Sequence, residues 1–262
     1  IAMGHSGTDV AREVADVVLQ QDDMAAMVIA VQDGRTTYGN IKKAVHFFLA
    51  TNISEIMVMF AALSAGLGSP LNTMQLLWIN LISDIFPGLA LTMEAPEQDV
   101  LQQPPRPTGE PIFAAPEYWR IAQESATLSI GALGAYGYGI LRYGLGARAG
   151  TLAFNALTIG QLLHAFSCRS QKESVFTGRL PANNFLSWAV GGSLVLQALA
   201  MFVPGLRGIL GLTPIGVMDG AVIAGASVLP LLVNELSKTQ KPSAAPDILA
   251  QRQDAAQNLA WN

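Results

Sequence analysis

Six apolar segments, each close to the roughly 20 residues needed to cross a bilayer, constrain this chain more than any single residue does. They lie at about 41–66, 71–93, 121–141, 149–168, 185–205 and 215–236. A backbone in hydrocarbon must satisfy its own polar groups, so segments of this kind form helices. The expected fold is an all-α membrane protein, a bundle of six transmembrane helices. Composition agrees: 51% of the 262 residues are hydrophobic and 13% are charged, where a soluble domain carries about 25% charged residues. Mean hydropathy is +0.37. The net charge of −4 comes with no basic stripe, which excludes nucleic acid as a partner. One cysteine, Cys168, excludes a disulfide framework and a multi-cysteine metal site.

The segments sort the chain into three parts. Residues 1–34 are of ordinary soluble composition and too few for a core of their own. Within them Val10, Val14, Val17 and Val18 approach helical spacing, and Met24 to Val31 form a second short amphipathic run. Residues 35–238 hold the six spans, and the polar approach from Gly34 to Lys43 extends the first helix as a stalk. Residues 239–262 read as a disordered polar tail. The opening Ile-Ala-Met-Gly has no basic start followed by an apolar run, so it reads as the interior of a longer chain rather than a signal peptide. With the N-terminus inside, twelve of the 15 Lys and Arg fall on the inner face, leaving Arg142, Arg148 and Arg207 outside. Both termini are therefore expected in the cytosol.

Two carboxylates stand inside the first two spans, Glu55 and Asp84. An acidic group at the bilayer centre costs roughly 2.5–3.5 kcal/mol on insertion scales. A chain that keeps two of them on consecutive spans is expected to use them on a cation. Asn52 lies three residues before Glu55, while Asn80 and Ser83 precede Asp84 by four and one. Helical spacing puts Asn52 with Glu55, and Asn80 with Asp84, on shared faces. Facing each other, these helices would supply carboxylate, amide and hydroxyl oxygens, which suit calcium, manganese, sodium or potassium. Pro87 cannot hydrogen-bond the Ser83 carbonyl, so a broken helix beside Asp84 is expected. The alternative is that both asparagines only bridge helices. Gln161 on the fourth span is a ligand or an interhelix bridge. Gln123 and Glu124 read as snorkelling groups, Asp219 and Glu235 as interfacial ones, and His164 as a packing residue.

Certain stretches are familiar. Residues 1–19, Asp22-Asp23, and Gly34-Arg35 through Asn40-Ile-Lys-Lys43 resemble the end of the phosphorylation domain and the stalk of P-type cation ATPases. Thr51-Asn-Ile-Ser-Glu55, Gln75 to Asp84, and Pro87-Gly-Leu-Ala-Leu91 resemble helices five and six of the calcium-pump-like branch. Glu94-Ala-Pro-Glu97 through Pro104-Pro-Arg106 resembles the loop that follows them. The resemblance implies a cation site at Asn52, Glu55, Asn80, Ser83 and Asp84, with calcium favoured. Ser83 stands where a threonine is usual, and Ile85-Phe86 replaces a smaller, glycine-containing pair. Gln161 takes the place of a glutamate on the eighth helix, which favours one ion per cycle. The resemblance also implies ATP and magnesium for the complete pump and a plasma-membrane setting. The phosphorylation motif, nucleotide-binding domain, actuator loop and fourth helix are not in this sequence. The missing N-terminal part is thus an implied partner, no cofactor is expected here, and the chain alone is not expected to hydrolyse ATP. A rival reading is a free-standing, non-enzymatic channel or pump regulator. A third is a proton-coupled secondary transporter.

Overall fold

A computed structural model of the protein describes residues 1–97, 100–102, 104–107, 109–171, 173–177 and 180–239. Of the tail expected at 239–262, Thr239 ends a helix and the rest lies outside the described residues. Among the described residues the fold is helical, with eight α-helices and one minimal strand pair. That pair, β1 (Ala2–Met3) and β2 (Val18–Leu19), is parallel with Ala2 opposite Val18. Between them lies α1 (Asp9–Val14), capped by the Thr8 hydroxyl on the Ala11 N–H at 3.2 Å. The valine spacing therefore predicts too long a helix. It ends at Val14, and Val18 turns into a strand whose partner is far away in sequence.

The second short run is not a separate element either. It forms the first turns of α2 (Ala25–Ser64), 40 residues long, which at 1.5 Å per residue is a rod of about 60 Å. The next helix, α3 (Thr73–Leu91), starts with a capping box in which Asn72 and Gln75 satisfy each other's backbone N–H groups. Then come α4 (Ala115–Tyr143), α5 (Ala147–Ser167), α6 (Asn184–Phe202), α7 (Pro204–Ile209) and α8 (Val217–Thr239). Gly144, at φ 79°, ends α4 with a backbone that other residues rarely adopt. The expected loop between the last two spans contains the short α7, started by Pro204.

The six long helices match the six apolar segments. Four of them, α2, α3, α6 and α8, are long and apolar enough to span a membrane. α4 and α5 have the length but fall short in hydropathy. The reason is position: α5 is buried along most of its length, so protein rather than lipid surrounds it. The protein is a multi-pass integral membrane bundle.

Small residues let the helices close on one another, the usual device where lipid removes the hydrophobic drive. The Ser125 and Ser129 hydroxyls on α4 donate to the Ala50 and Ser54 carbonyls of α2 at 3.0 and 3.1 Å. At Gly131 a Cβ would stand 2.4 Å from the Ala226 carbonyl oxygen, so only glycine lets α4 approach α8 there. Beside these contacts, Val58, Leu71, Ile79, Ala132, Phe154 and Leu157 pack into an apolar cluster.

Pro87 does not break α3. The helix instead widens into a π-helical turn at Ile79–Asp84 and resumes as α-helix at Ile85–Leu91. Such turns concentrate at functional sites, and this one carries Asn80, Ser83 and Asp84.

Candidate functional site

Glu55 and Asp84 meet across α2 and α3, both buried. Glu55 Oε2 accepts from Asn80 Nδ2 at 3.3 Å, and Oε1 accepts from Gln161 Nε2 at 3.3 Å. Asp84 Oδ2 accepts from the Thr51 hydroxyl at 3.0 Å and from Asn52 Nδ2 at 3.2 Å. Gln161 Nε2 also lies 3.2 Å from the Thr51 carbonyl and 3.3 Å from the Ser54 hydroxyl. Thr51 thus joins the two carboxylates into one network drawn from α2, α3 and α5. Five of the six residues expected from sequence belong to it.

Ser83, the sixth, is fully buried in the π turn, and its hydroxyl has no partner among the described residues. Asp84 Oδ1 and Gln161 Oε1 are likewise buried without a partner. Buried polar atoms are nearly always hydrogen-bonded, so these three oxygens on residues of one small region are exceptions among the described residues. Asn52 is exposed on α2 and leaves the site open on that side. Ile85 and Phe86 are exposed at 42% and 46%, so their bulk points away from the carboxylates.

Thr51 and Ser54 are missing from the sequence-derived set. A signal existed for Thr51: it stands four residues before Glu55 and shares its face. Ser54 has no such relation and is found only through Gln161.

The electrostatics set this site apart. Six carboxylates are buried among the described residues: Glu55, Asp84, Glu94, Glu124, Asp219 and Glu235. Glu94 pairs with Arg169 at 2.5 Å, Glu124 with Arg120 at 2.8 Å, Asp219 with Arg148 at 3.3 Å and Glu235 with Lys238 at 2.5 Å. Glu124, Asp219 and Glu235, read from sequence as snorkelling or interfacial groups, are thus each paired with a cation inside the bundle, and Asp219 and Glu235 lie near opposite ends of α8. Glu55 and Asp84 have only neutral amides and hydroxyls opposite them.

The chain matches the family model described as "Cation transporting ATPase, C-terminus" over residues 68–239. The chain belongs to this family of cation-transporting ATPases. Its similarity to curated members extends across nearly all of its length. It is 35% identical to a calcium-transporting ATPase of Bacillus subtilis (strain 168) over 247 residues, covering 92% of this chain and 27% of that protein. It is 32% identical to calcium-transporting ATPase 1 of Schizosaccharomyces pombe, covering 91% of this chain and 26% of that one. It is 33% identical to calcium-transporting ATPase type 2C member 2 of Mus musculus, covering 91% and 25%. The chain therefore spans about a quarter of the length of these cation-transporting ATPases.

Proposed function

We propose that this chain is the C-terminal membrane part of an ATP-driven cation transporter and supplies part of its intramembrane site for a calcium-like divalent cation. The observation that carries the proposal is the charge imbalance among the described residues: two buried carboxylates with no cationic partner, while the other four buried carboxylates each have one. A bound cation is the missing partner. Glu55 and Asp84 hold it by charge. Asn52, Asn80, Ser83 and Gln161 add neutral oxygens once the amides, now turned nitrogen-first toward the carboxylates, rotate. Oxygen donors of this kind are hard ligands, and the relatives named above are calcium-transporting ATPases.

In the complete transporter, residues 1–34 close the phosphorylation domain, and α2 links that domain to the site as one uninterrupted helix. ATP and magnesium act on parts outside this chain. Both termini face the cytosol, as the twelve-to-three distribution of basic residues favours, and the setting is the plasma membrane. The test is cation-dependent phosphorylation of the full-length protein across calcium, manganese, sodium and potassium. Calcium is expected to support the phosphoenzyme, and Asp84→Asn to abolish that dependence. Normal calcium-dependent phosphorylation in the variant would sink the proposal.

A further inference from the structure

A second set of donors converges elsewhere in the bundle, with different chemistry. His46 on α2, Glu124 on α4, and His164 and Cys168 at the end of α5 are all buried. His46 lies nine residues before Glu55 on the same helix, about 14 Å along its axis. His46 Nε2 is 2.5 Å from Glu124 Oε2, and His164 Nε2 is 3.4 Å from the same oxygen. Cys168 Sγ stands 3.3 Å from His164 Nε2. Ligand atoms of His46, Glu124 and Cys168 all fall within 4.8 Å of one another. His164, read from sequence as a packing residue, is therefore part of a cluster.

We propose that this cluster is a binding site for a borderline-soft divalent transition ion of the zinc class, separate from the oxygen-lined site. Two imidazoles, a carboxylate and a thiol match the donors such ions take, whereas calcium takes oxygens alone. Bonds of about 2.0–2.3 Å in a tetrahedral shell set donors roughly 3.3–3.7 Å apart, and two of the separations here already have that value. The shorter contact between His46 and Glu124 is a direct hydrogen bond, which the ion replaces. Arg120 Nε holds the other Glu124 oxygen at 2.8 Å. It orients the carboxylate from the second shell and leaves Oε2 facing the imidazoles. Among the described residues both Nδ1 atoms are buried without a partner, so on binding the proton that His46 Nε2 directs at Glu124 moves to Nδ1 as the tautomer changes. Both Nε2 atoms can serve as ligands.

Binding releases the thiol proton to solvent as thiolate takes the metal. Thiolate and carboxylate then offset two of the three positive charges carried by the ion and Arg120. The ion ties α2 to α4 and α5. The proposal is independent of whether the other site transports anything.

The test is titration of the full chain in detergent micelles with cobalt(II), in excess calcium. One equivalent is expected to give a near-ultraviolet thiolate-to-cobalt band and strong tetrahedral visible bands, both removed by zinc. Cys168 is the one cysteine, so the near-ultraviolet band reports that residue alone. Cys168→Ser is expected to lose it, and His46→Ala and His164→Ala to weaken binding more than about tenfold. Asp84→Asn and Glu55→Gln are expected to leave it intact. Absence of the band in folded wild type, its survival in Cys168→Ser, or its loss in Asp84→Asn overturns the proposal. Should a cluster variant lose its helical circular dichroism, X-ray absorption of the zinc-loaded wild type decides. Sulfur and imidazole scattering support the site, and an all-oxygen shell overturns it.

Discussion

The Glu235–Lys238 pair and the Glu55–Asp84 pair occupy similar surroundings and behave as opposites. Lys238 Nζ sits 2.5 Å from Glu235 Oε1 and also donates to the Ser167 carbonyl at 2.7 Å. Glu235 collects the Ser167 hydroxyl and the Val175 N–H as well. Every charge there is answered, so the pair holds helix ends together and has no capacity for a further ion. Around Glu55 and Asp84 the donors are neutral and three oxygens are unanswered. A buried ion pair is nearly neutral in stability, but an uncompensated buried charge is costly. Among the described residues the bundle is therefore saturated in one region and unsaturated in the other.

Four measurements would break or sharpen that contrast, taken from the largest expected effect to the smallest. Lys238→Met leaves Glu235 without its cation and is expected to cost about 3–5 kcal/mol of stability, read by denaturant unfolding in micelles. An unchanged midpoint would remove the distinction between the two regions. Asp84→Asn takes away an uncompensated charge. It is expected to hold or raise stability while lowering calcium affinity about 100-fold, or ~2.7 kcal/mol, by isothermal titration of the full-length protein. A destabilised variant with full affinity would show that Asp84 is structural. Thr51→Val keeps the shape and removes one donor to Asp84, so affinity should fall about tenfold with little change in fold.

The smallest effect belongs to Asp22, outside the membrane. Its carboxylate accepts from the His5 and Ser6 N–H groups at 2.9 and 2.8 Å. The His5 hydrogen bond, then that of Ser6, holds its pKa below the ordinary value of 3.8. Since the folded value is the depressed one, this contribution is present above the unfolded pKa and fades as pH falls through the folded one. Amide protection at His5 and Ser6 should decline over that acidic range in wild type and be weaker at neutral pH in Asp22→Asn.

Much of this was legible in the sequence because it depends on local period. Span length gave the helices, and spacings of three and four residues gave the two carboxylates with their asparagines. What escaped was assembled from distant parts. Val18 becomes a strand only because Ala2 lies beside it. Gln161 reaches Glu55 across 106 positions, a contact that local period does not show. The pairing of Glu124 with His46 spans 78 positions. His164 and Cys168 are only four residues apart, yet the sequence reading left His164 as a packing residue. The π turn escaped for another reason: Pro87 signals trouble in the helix but does not say whether the chain breaks or widens.

That widening gives Asp84 two possible headings. A π turn carries one residue more than the α-helix it interrupts. Rewinding Ile79–Asp84 to α geometry would turn the helix beyond it by about 100° and lengthen it by about 1.5 Å. Asp84 stands at the last position of the turn, so the same motion would swing its carboxylate out of reach of Thr51 and Asn52. A single slipped residue can thus act as a latch on which way the charge faces, without any helix having to break.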